Sequence, residues 1–469
     1  MMEQVIYRPI RELSELISNK ELSPVELVNT FLDRLEKLGP RYNAVVSLTR
    51  DRAIKQAQKA EREILKGAYR GKLHGIPFGA KDLLATSGNI PTTWGAEPLR
   101  NQVFNYDATA IVNLEAAGAV LSAKLAMVEL AGGMGYRQPN AAFTGPGVSP
   151  WGNGMAWSGG SSSGSGSAVG AGLVPFAIGS ETWGSILGPA NNCGVSGLRP
   201  TYGRVSRYGA MALCWTLDKI GPLCVNADDC GIVLEAMAGH DPSDPTTTSE
   251  KYQYDTQDGN PRKFRIGIIR DVAEGTDEAV RKNFLESLKS LEEIGTIEEI
   301  NLPELPYEAV TRTILFAEAS SSFEDFIDSG KNMELTAEED RFGGYAGLTI
   351  LAKDYIRALR IRGMIAKVID QTFEDYDVLV GPSRPSVAPP IEGEFRSVIR
   401  AGAKDLMGAI GNGAGLPAIS VPNGFSAEGL PTGIQFMGRA YAENTVIKIA
   451  RAYQSLTKWH EYHPEQLAQ

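Results

Sequence analysis

The chain has 469 residues, 43% hydrophobic and 22% charged, a composition that excludes a disordered polymer and supplies ample material for a buried core. Lys and Arg total 46 against 56 Asp and Glu, a formal net charge of −10, which argues against nucleic acid or an anionic membrane as partner because a basic surface supplies that affinity. Four cysteines without a C-x-x-C pair speak against zinc or a disulfide framework, the charged N-terminus lacks the apolar centre of a signal peptide, and no apolar run is long enough to span a membrane. A cytoplasmic protein with reduced thiols is expected.

Residues 1–67 read as helical. Ser23-Pro24-Val25-Glu26 joins an N-cap serine, a proline at the first helical position and the glutamate of a capping box. Leu27, Phe31, Leu35 and Leu38 follow at three- and four-residue spacing, and Gly39-Pro40 ends the helix. Residues 43–48 read as a short strand and 51–66 as a charged helix with an alanine-lined face. From about 70 to 230 glycine and serine become dense. There, a helix over 107–119 precedes a strand over 120–123, the texture of α/β units, and residues 158–167 are glycine and serine throughout. Residues 240–375 are more charged and more helical, with a strand over 263–269 and amphipathic helices over 277–291 and 353–373. A buried strand over 377–381, a proline-rich loop through Pro390, and strands over 416–422 and 433–438 complete the chain.

Three segments concentrate residue types suited to acyl transfer. The first is Gly75-Ile76-Pro77-Phe78-Gly79-Ala80-Lys81-Asp82. The second is Gly159-Gly160-Ser161-Ser162-Ser163-Gly164. The third is Gly179-Ser180-Glu181-Thr182-Trp183-Gly184-Ser185-Ile186, followed by Gly188-Pro189-Ala190. Their wording and order resemble the amidase signature family, whose members use a Ser–cis-Ser–Lys triad. The resemblance extends to Cys193–Gly203, Leu217-Asp218-Lys219-Ile220-Gly221-Pro222 and Ala414–Pro422, and covers roughly residues 20–240 and 350–455.

The resemblance implies Ser185 as nucleophile, Ser161 as the middle serine after a cis Gly160–Ser161 bond, and Lys81 as base. It implies an oxyanion hole from the backbone N–H groups of Thr182, Trp183, Gly184 and Ser185. It further implies one α/β/α domain over 1–469 around a large mixed, mostly parallel sheet. Within it lie an N-terminal helical segment (1–67), a signature core (70–240), a variable helical region (240–375) and a C-terminal return (376–469). No metal or organic cofactor is implied, and a homodimer is.

The chemistry of the set is intelligible by itself. A serine hydroxyl is a poor nucleophile until a base takes its proton. A lysine serves as that base only when neutral, so burial and nearby positive charge must bring its pKa down from about 10.4. Gly79 and Ala80 suit burial, whereas Asp82 opposes the shift unless it points away from Lys81.

The chain also departs from the family pattern. Trp183 stands where a glycine is usual, Glu181 replaces aspartate, and Leu187 replaces arginine, which removes an ion pair expected between the last two positions. Gly133, Met134, Tyr136, Trp157 and Leu187 are the expected substrate-binding residues. Of these, Met134, Tyr136, Trp157 and Leu187, together with Trp183, make an apolar, aromatic pocket for amides, anilides, esters or carbamates, although the same residue types also serve as core packing. Two other enzyme readings stand beside this one. The glutaminase-type component of a tRNA-dependent amidotransferase shares the triad. An α/β-hydrolase would use Ser162 in Gly160-Ser161-Ser162-Ser163-Gly164 and one of His74, His240, His460 or His463. The third reading is a noncatalytic binding protein.

Overall fold

The computed structural model describes residues 5–135, 138–257, 263–392 and 405–464. The chain enters through α1 (Ile10–Ser18), α2 (Pro24–Leu38), the edge strand β1 (Val45–Leu48) and α3 (Arg50–Leu65). Ser23 caps α2 as expected, its Oγ accepting from the N–H groups of Val25 and Glu26. The same hydroxyl donates to Glu61 Oε1 at 2.5 Å, so the cap also ties α2 to α3. Leu27, Phe31 and Leu35 are buried, while Ala53 and Ala57 of α3 pack on Val28 and Leu32. Small side chains on one helix let the other approach closely.

The sheet core is laid down by β2 (Pro77–Lys81), α4 (Thr109–Ala116), β3 (Val120–Leu125), α5 (Ser163–Gly170), β4 (Phe176–Glu181), α6 (Leu187–Cys193), β5 (Ser196–Arg199), β6 (Lys219–Cys224) and α7 (Ala227–Met237). Then follow β7 (Phe264–Ile269), α8 (Glu278–Ile294), β8 (Gly295–Ile300), α9 (Tyr307–Ser322), α10 (Glu324–Asp328), α11 (Asp340–Gly347) and α12 (Ala352–Asp375). The chain returns through β9 (Val378–Pro382), α13 (Leu406–Gly413), β10 (Ala418–Phe425), β11 (Pro431–Gly438) and α14 (Glu443–Thr457).

The strands form one 11-stranded sheet in the order β1-β3-β2-β4-β6-β5-β10-β11-β9-β7-β8. Pairing is parallel in β3-β2-β4 and in β9-β7-β8. It is antiparallel between β1 and β3 and through the run β4-β6-β5-β10-β11-β9. The sheet is therefore mixed, with its parallel pairs confined to two flanks, where the sequence reading expected parallel pairing to predominate. The difference arises because β6, β5, β10 and β11 meet across the middle without a helical crossover between every pair. Residues of β2, β3 and β4 are buried on both faces, with the charged Lys81, Lys124 and Glu181 among them.

The glycine and serine run is an unexpected helix. Its second half forms α5, with every residue buried. Glycine is required there by contact: a Cβ on Gly164 would lie 2.4 Å from the Ala44 carbonyl oxygen and 2.5 Å from the Ala126 nitrogen. The serines are buried because each finds an acceptor, Ser165 Oγ on the Ile178 carbonyl at 3.0 Å and Ser167 Oγ on that of Val148 at 2.6 Å. The 240–375 region is largely helical, its expected strand over 263–269 is β7, and β8 is a further strand that the sequence reading did not foresee. Among the described residues, no helix is long and apolar enough to cross a membrane.

Candidate active site

Lys81 ends β2 with no solvent exposure, and its Nζ donates to Ser161 Oγ at 2.7 Å and to Ser180 Oγ at 2.9 Å. The bond between Gly160 and Ser161 is cis. The Ser162 N–H donates to the Ser185 carbonyl at 3.3 Å, which places the Ser161 and Ser185 segments side by side. Ser161 and Ser185 are both buried. Lys81, Ser161 and the Ser185 segment, far apart in sequence, thus meet at the end of β2 and β4.

Asp82 points away from this centre. Its Oδ1 pairs with Lys124 Nζ at 3.0 Å, and its Oδ2 accepts from the Thr93 N–H and hydroxyl at 2.9 and 2.5 Å. The register explains this: Ala80 lies opposite Lys124, and side chains alternate along the strand. Lys124 is fully buried, and burial, against the attraction of Asp82, lowers its pKa.

The turn 181–185 is held from within by Glu181. Its Oε2 accepts from the N–H groups of Ile186 and Leu187 at 2.8 and 3.0 Å, and its Oε1 from Arg199 at 2.9 Å and Asn412 at 3.1 Å. A carboxylate at the start of α6 also complements the positive end of that helix. Burial alone would raise the Glu181 pKa, but Arg199, the Leu187 N–H and Lys219 outweigh it and hold the group at about 2. The ion pair that the Glu181 and Leu187 changes were expected to remove is therefore replaced: Arg199 of β5 supplies the cation. Lys219, opposite Glu181 in the sheet, is brought down to about 7 by burial first and by Arg199 second, against Glu181 and Asp218. Gly184 has φ 77°, a conformation that accounts for glycine immediately before Ser185.

The remaining expected residues separate by environment. Trp183 is half-buried; its Nε1 donates to Asp405 Oδ2 at 3.0 Å, and the Arg312 guanidinium lies 5.4 Å from its ring. Leu187 opens α6 and is buried in the main core. Met134 is buried under α11, and a Cβ on Gly133 would come within 2.4 Å of Leu213 and 2.5 Å of Phe323. Trp157 packs with Val128, Ala141 and Ala337, close enough to Gly160 that a Cβ there would lie 3.0 Å from the indole. Tyr136 lies outside the described residues.

Sequence reasoning missed Ser180, the second partner of Lys81, although it sits five positions before Ser185 in the same motif. It also missed Arg199 and Asp218, which lie in segments that resemble the family but suggest no role by themselves. Ser162, the alternative nucleophile, is engaged through its Oγ with the Ser180 backbone, donating to the carbonyl at 3.2 Å and accepting from the N–H at 3.3 Å. His74 binds Glu63 and the Arg70 N–H, His240 meets Thr247, and His463 stacks on Tyr7.

The sequence matches the Amidase family model over residues 26–447. The chain belongs to the amidase family. Among relatives, it is 36% identical to a glutamyl-tRNA(Gln) amidotransferase subunit from Cyanothece sp., covering 97% of this chain and 99% of that one. Among solved structures, this amidase resembles the peptide amidase of Stenotrophomonas maltophilia, with TM-score 0.82, 29% identity, and 96% and 97% of the two chains covered. It also resembles the corresponding glutamyl-tRNA(Gln) amidotransferase subunit of Thermotoga maritima, with TM-score 0.79, 31% identity and coverage of 96% and 94%. This amidase is accordingly a hydrolase of α/β fold that acts on C–N bonds.

Proposed function

We propose that this amidase cleaves apolar or aromatic amides, with ester or carbamate cleavage by the same route, through an acyl-enzyme on Ser185. The observation that carries the reading is the 2.7 Å hydrogen bond between Lys81 Nζ and Ser161 Oγ, beside the segment that bears Ser185. In the proposed mechanism the Ser185 hydroxyl adds to the substrate carbonyl while its proton passes to Ser161, whose own proton passes to the neutral Lys81 amine. The N–H groups of Thr182, Trp183, Gly184 and Ser185 receive the negative charge that develops on the carbonyl oxygen. Collapse expels the leaving amine or alcohol, which takes the proton back along the same relay. Water then repeats the sequence on the acyl-enzyme and frees Ser185.

The preference for apolar substrates rests chiefly on Trp183, the partly exposed aromatic group on the turn itself. Met134 and Leu187 act in this reading by shaping the core behind the pocket. The substrate is a small molecule, neither nucleic acid nor membrane is a partner, and the amidase acts in the cytoplasm, as a homodimer. A second reading is the glutaminase component of an amidotransferase, favoured by the 36% identity to an amidotransferase subunit. Trp183 and Leu187, in place of glycine and arginine, favour the first.

The test is the hydrolysis of one aromatic acyl group carried on 4-nitroaniline, on 4-nitrophenol and as a carbamate, with free glutamine alongside. Wild type is expected to cleave the anilide or carbamate, with Ser185→Ala at background. Ammonia release from glutamine alone would support the second reading. Unchanged rates in Ser185→Ala would remove Ser185 as nucleophile.

A further inference from the structure

The antiparallel pairing of β4 with β6 ends at Glu181 opposite Lys219, so the next residues, Thr182 and Asp218, face one another just beyond the ladder. Thr182 Oγ1 donates to Asp218 Oδ1 at 2.6 Å, and both residues are buried. The other carboxylate oxygen, Asp218 Oδ2, accepts from the N–H groups of Leu213 and Cys214 at 2.8 and 2.9 Å. Asp218 therefore grips the Thr182 side chain on one side and the 213–214 backbone on the other.

That backbone is itself anchored. Glu318 of α9 accepts from the Thr216 N–H and hydroxyl, both at 2.8 Å, and from Cys214 Sγ at 3.1 Å. Tyr355 of α12 donates to the same Glu318 at 2.8 Å, and Arg362 of α12 donates to the Thr216 carbonyl at 2.9 Å. The result is a continuous brace from two helices to the turn that carries Thr182. A hydroxyl has one proton to give, so donating it to Asp218 fixes the Thr182 rotamer and with it the adjoining peptide.

We infer that Asp218 is a positioning residue for the oxyanion turn, acting through the Thr182 hydroxyl on the aim of the Thr182 and Trp183 N–H groups. The inference rests on the hydrolase reading above. Donors aimed at the developing oxyanion act only when their geometry is fixed before reaction, and misplacement by about 1 Å costs on the order of 100-fold. In Asp218→Asn the amide oxygen can keep the Leu213 and Cys214 N–H groups only with its NH2 toward Thr182, so the Thr182 hydroxyl turns from donor to acceptor and the charge-assisted bond that fixes its rotamer is lost. Thr182→Val removes the hydroxyl at constant shape and leaves Asp218 in place.

The experiment compares wild type, Asp218→Asn, Thr182→Val, Thr182→Ser and the double variant Asp218→Asn/Thr182→Val on the anilide substrate. It is read together with labelling of Ser185 by a fluorophosphonate. The expected result is a kcat loss of about 10- to 100-fold in each of the first two variants, with KM moved less than about threefold. The double variant should be no worse than the poorer single one, Thr182→Ser should recover most of the rate, and labelling of Ser185 should slow in parallel. Thr182→Val keeps the test decisive even where Asp218→Asn fails to fold. Wild-type rates in Thr182→Val, multiplicative losses in the double variant, or a loss wholly in KM would overturn the positioning role alone. A wild type that turns over no amide and takes no label at Ser185 would overturn the hydrolase reading, and this role with it.

Discussion

Glu181 and Arg199 form an ion pair at 2.9 Å in which neither side chain is exposed. Glu181 also holds two N–H groups at the start of α6, so the pair fixes the turn before Ser185 to β5. Replacing Glu181 with glutamine leaves Arg199 buried beside a neutral group. The expected cost is about 3–5 kcal/mol, read as a fall in the urea midpoint. The folded pKa of about 2 lies below the ordinary carboxylate value, so this stabilisation is present above about pH 4.5 and is lost as pH falls toward 2. Glu181→Gln should show a shallower loss over that acidic window than wild type.

Lys81 meets Ser161 directly, so removing either end of the proposed relay should have the same consequence. Lys81→Ala and Ser161→Ala are each expected to lower kcat by about 10²–10⁴-fold. The double variant should be little worse than either single one, because the groups act as a unit. Steady-state rates on the anilide check this, and independent, multiplicative losses would mean that proton transfer does not pass from Ser161 to Lys81.

Ser180 gives Lys81 Nζ its second acceptor at 2.9 Å. Ser180→Ala leaves the relay intact but loosens the amine. A loss of roughly 1 kcal/mol, about fivefold to tenfold in kcat at unchanged KM, is expected. A rate equal to wild type would make this hydrogen bond irrelevant to turnover.

Trp183 bridges its turn to Asp405 and lies under Arg312. Trp183→Gly restores the residue usual in the family and removes the aromatic wall. On paired benzoyl and acetyl anilides, kcat/KM for the benzoyl substrate should fall about tenfold relative to the acetyl one. An unchanged ratio would place the substrate's acyl group away from the indole.

Glu129 and Asp340 are buried close together, and Asp340 has both carboxyl oxygens without a hydrogen-bond donor among the described residues. Burial, with repulsion from Glu129, pushes the Asp340 pKa up to about 8, while burial also raises Glu129. Between about pH 4 and 8 the folded chain thus holds a proton that the unfolded chain has released, so stability falls as pH rises through that window. Asp340→Asn abolishes this dependence at that site. Its Tm should exceed that of wild type by several degrees at pH 8.5, with the gap narrowing toward pH 5, in thermal unfolding at matched ionic strength.

The sequence by itself determined the family, and it singled out the segments that the proposed chemistry uses. Lys81, Ser161 and Ser185 carry their identity in short motifs because a turn that exposes a serine to a buried amine needs fixed glycines and fixed spacing. The cap at Ser23 and the amphipathic helices over 277–291 and 353–373 were legible for a similar reason, since capping and helical periodicity are local. Tertiary structure alone decided the partners. Lys124 for Asp82 and Asp218 for Thr182 follow from strand register, and Arg199 of β5 reaches Glu181 of β4 past the intervening β6; each brings residues together without regard to their separation along the chain. The connections between strands decided that the middle of the sheet is antiparallel. The helix formed from glycine and serine at α5 was illegible in advance because local propensity disfavours it. Its glycine at 164 is set by tertiary contact, because the backbones of Ala44 and Ala126 leave no room for a side chain there.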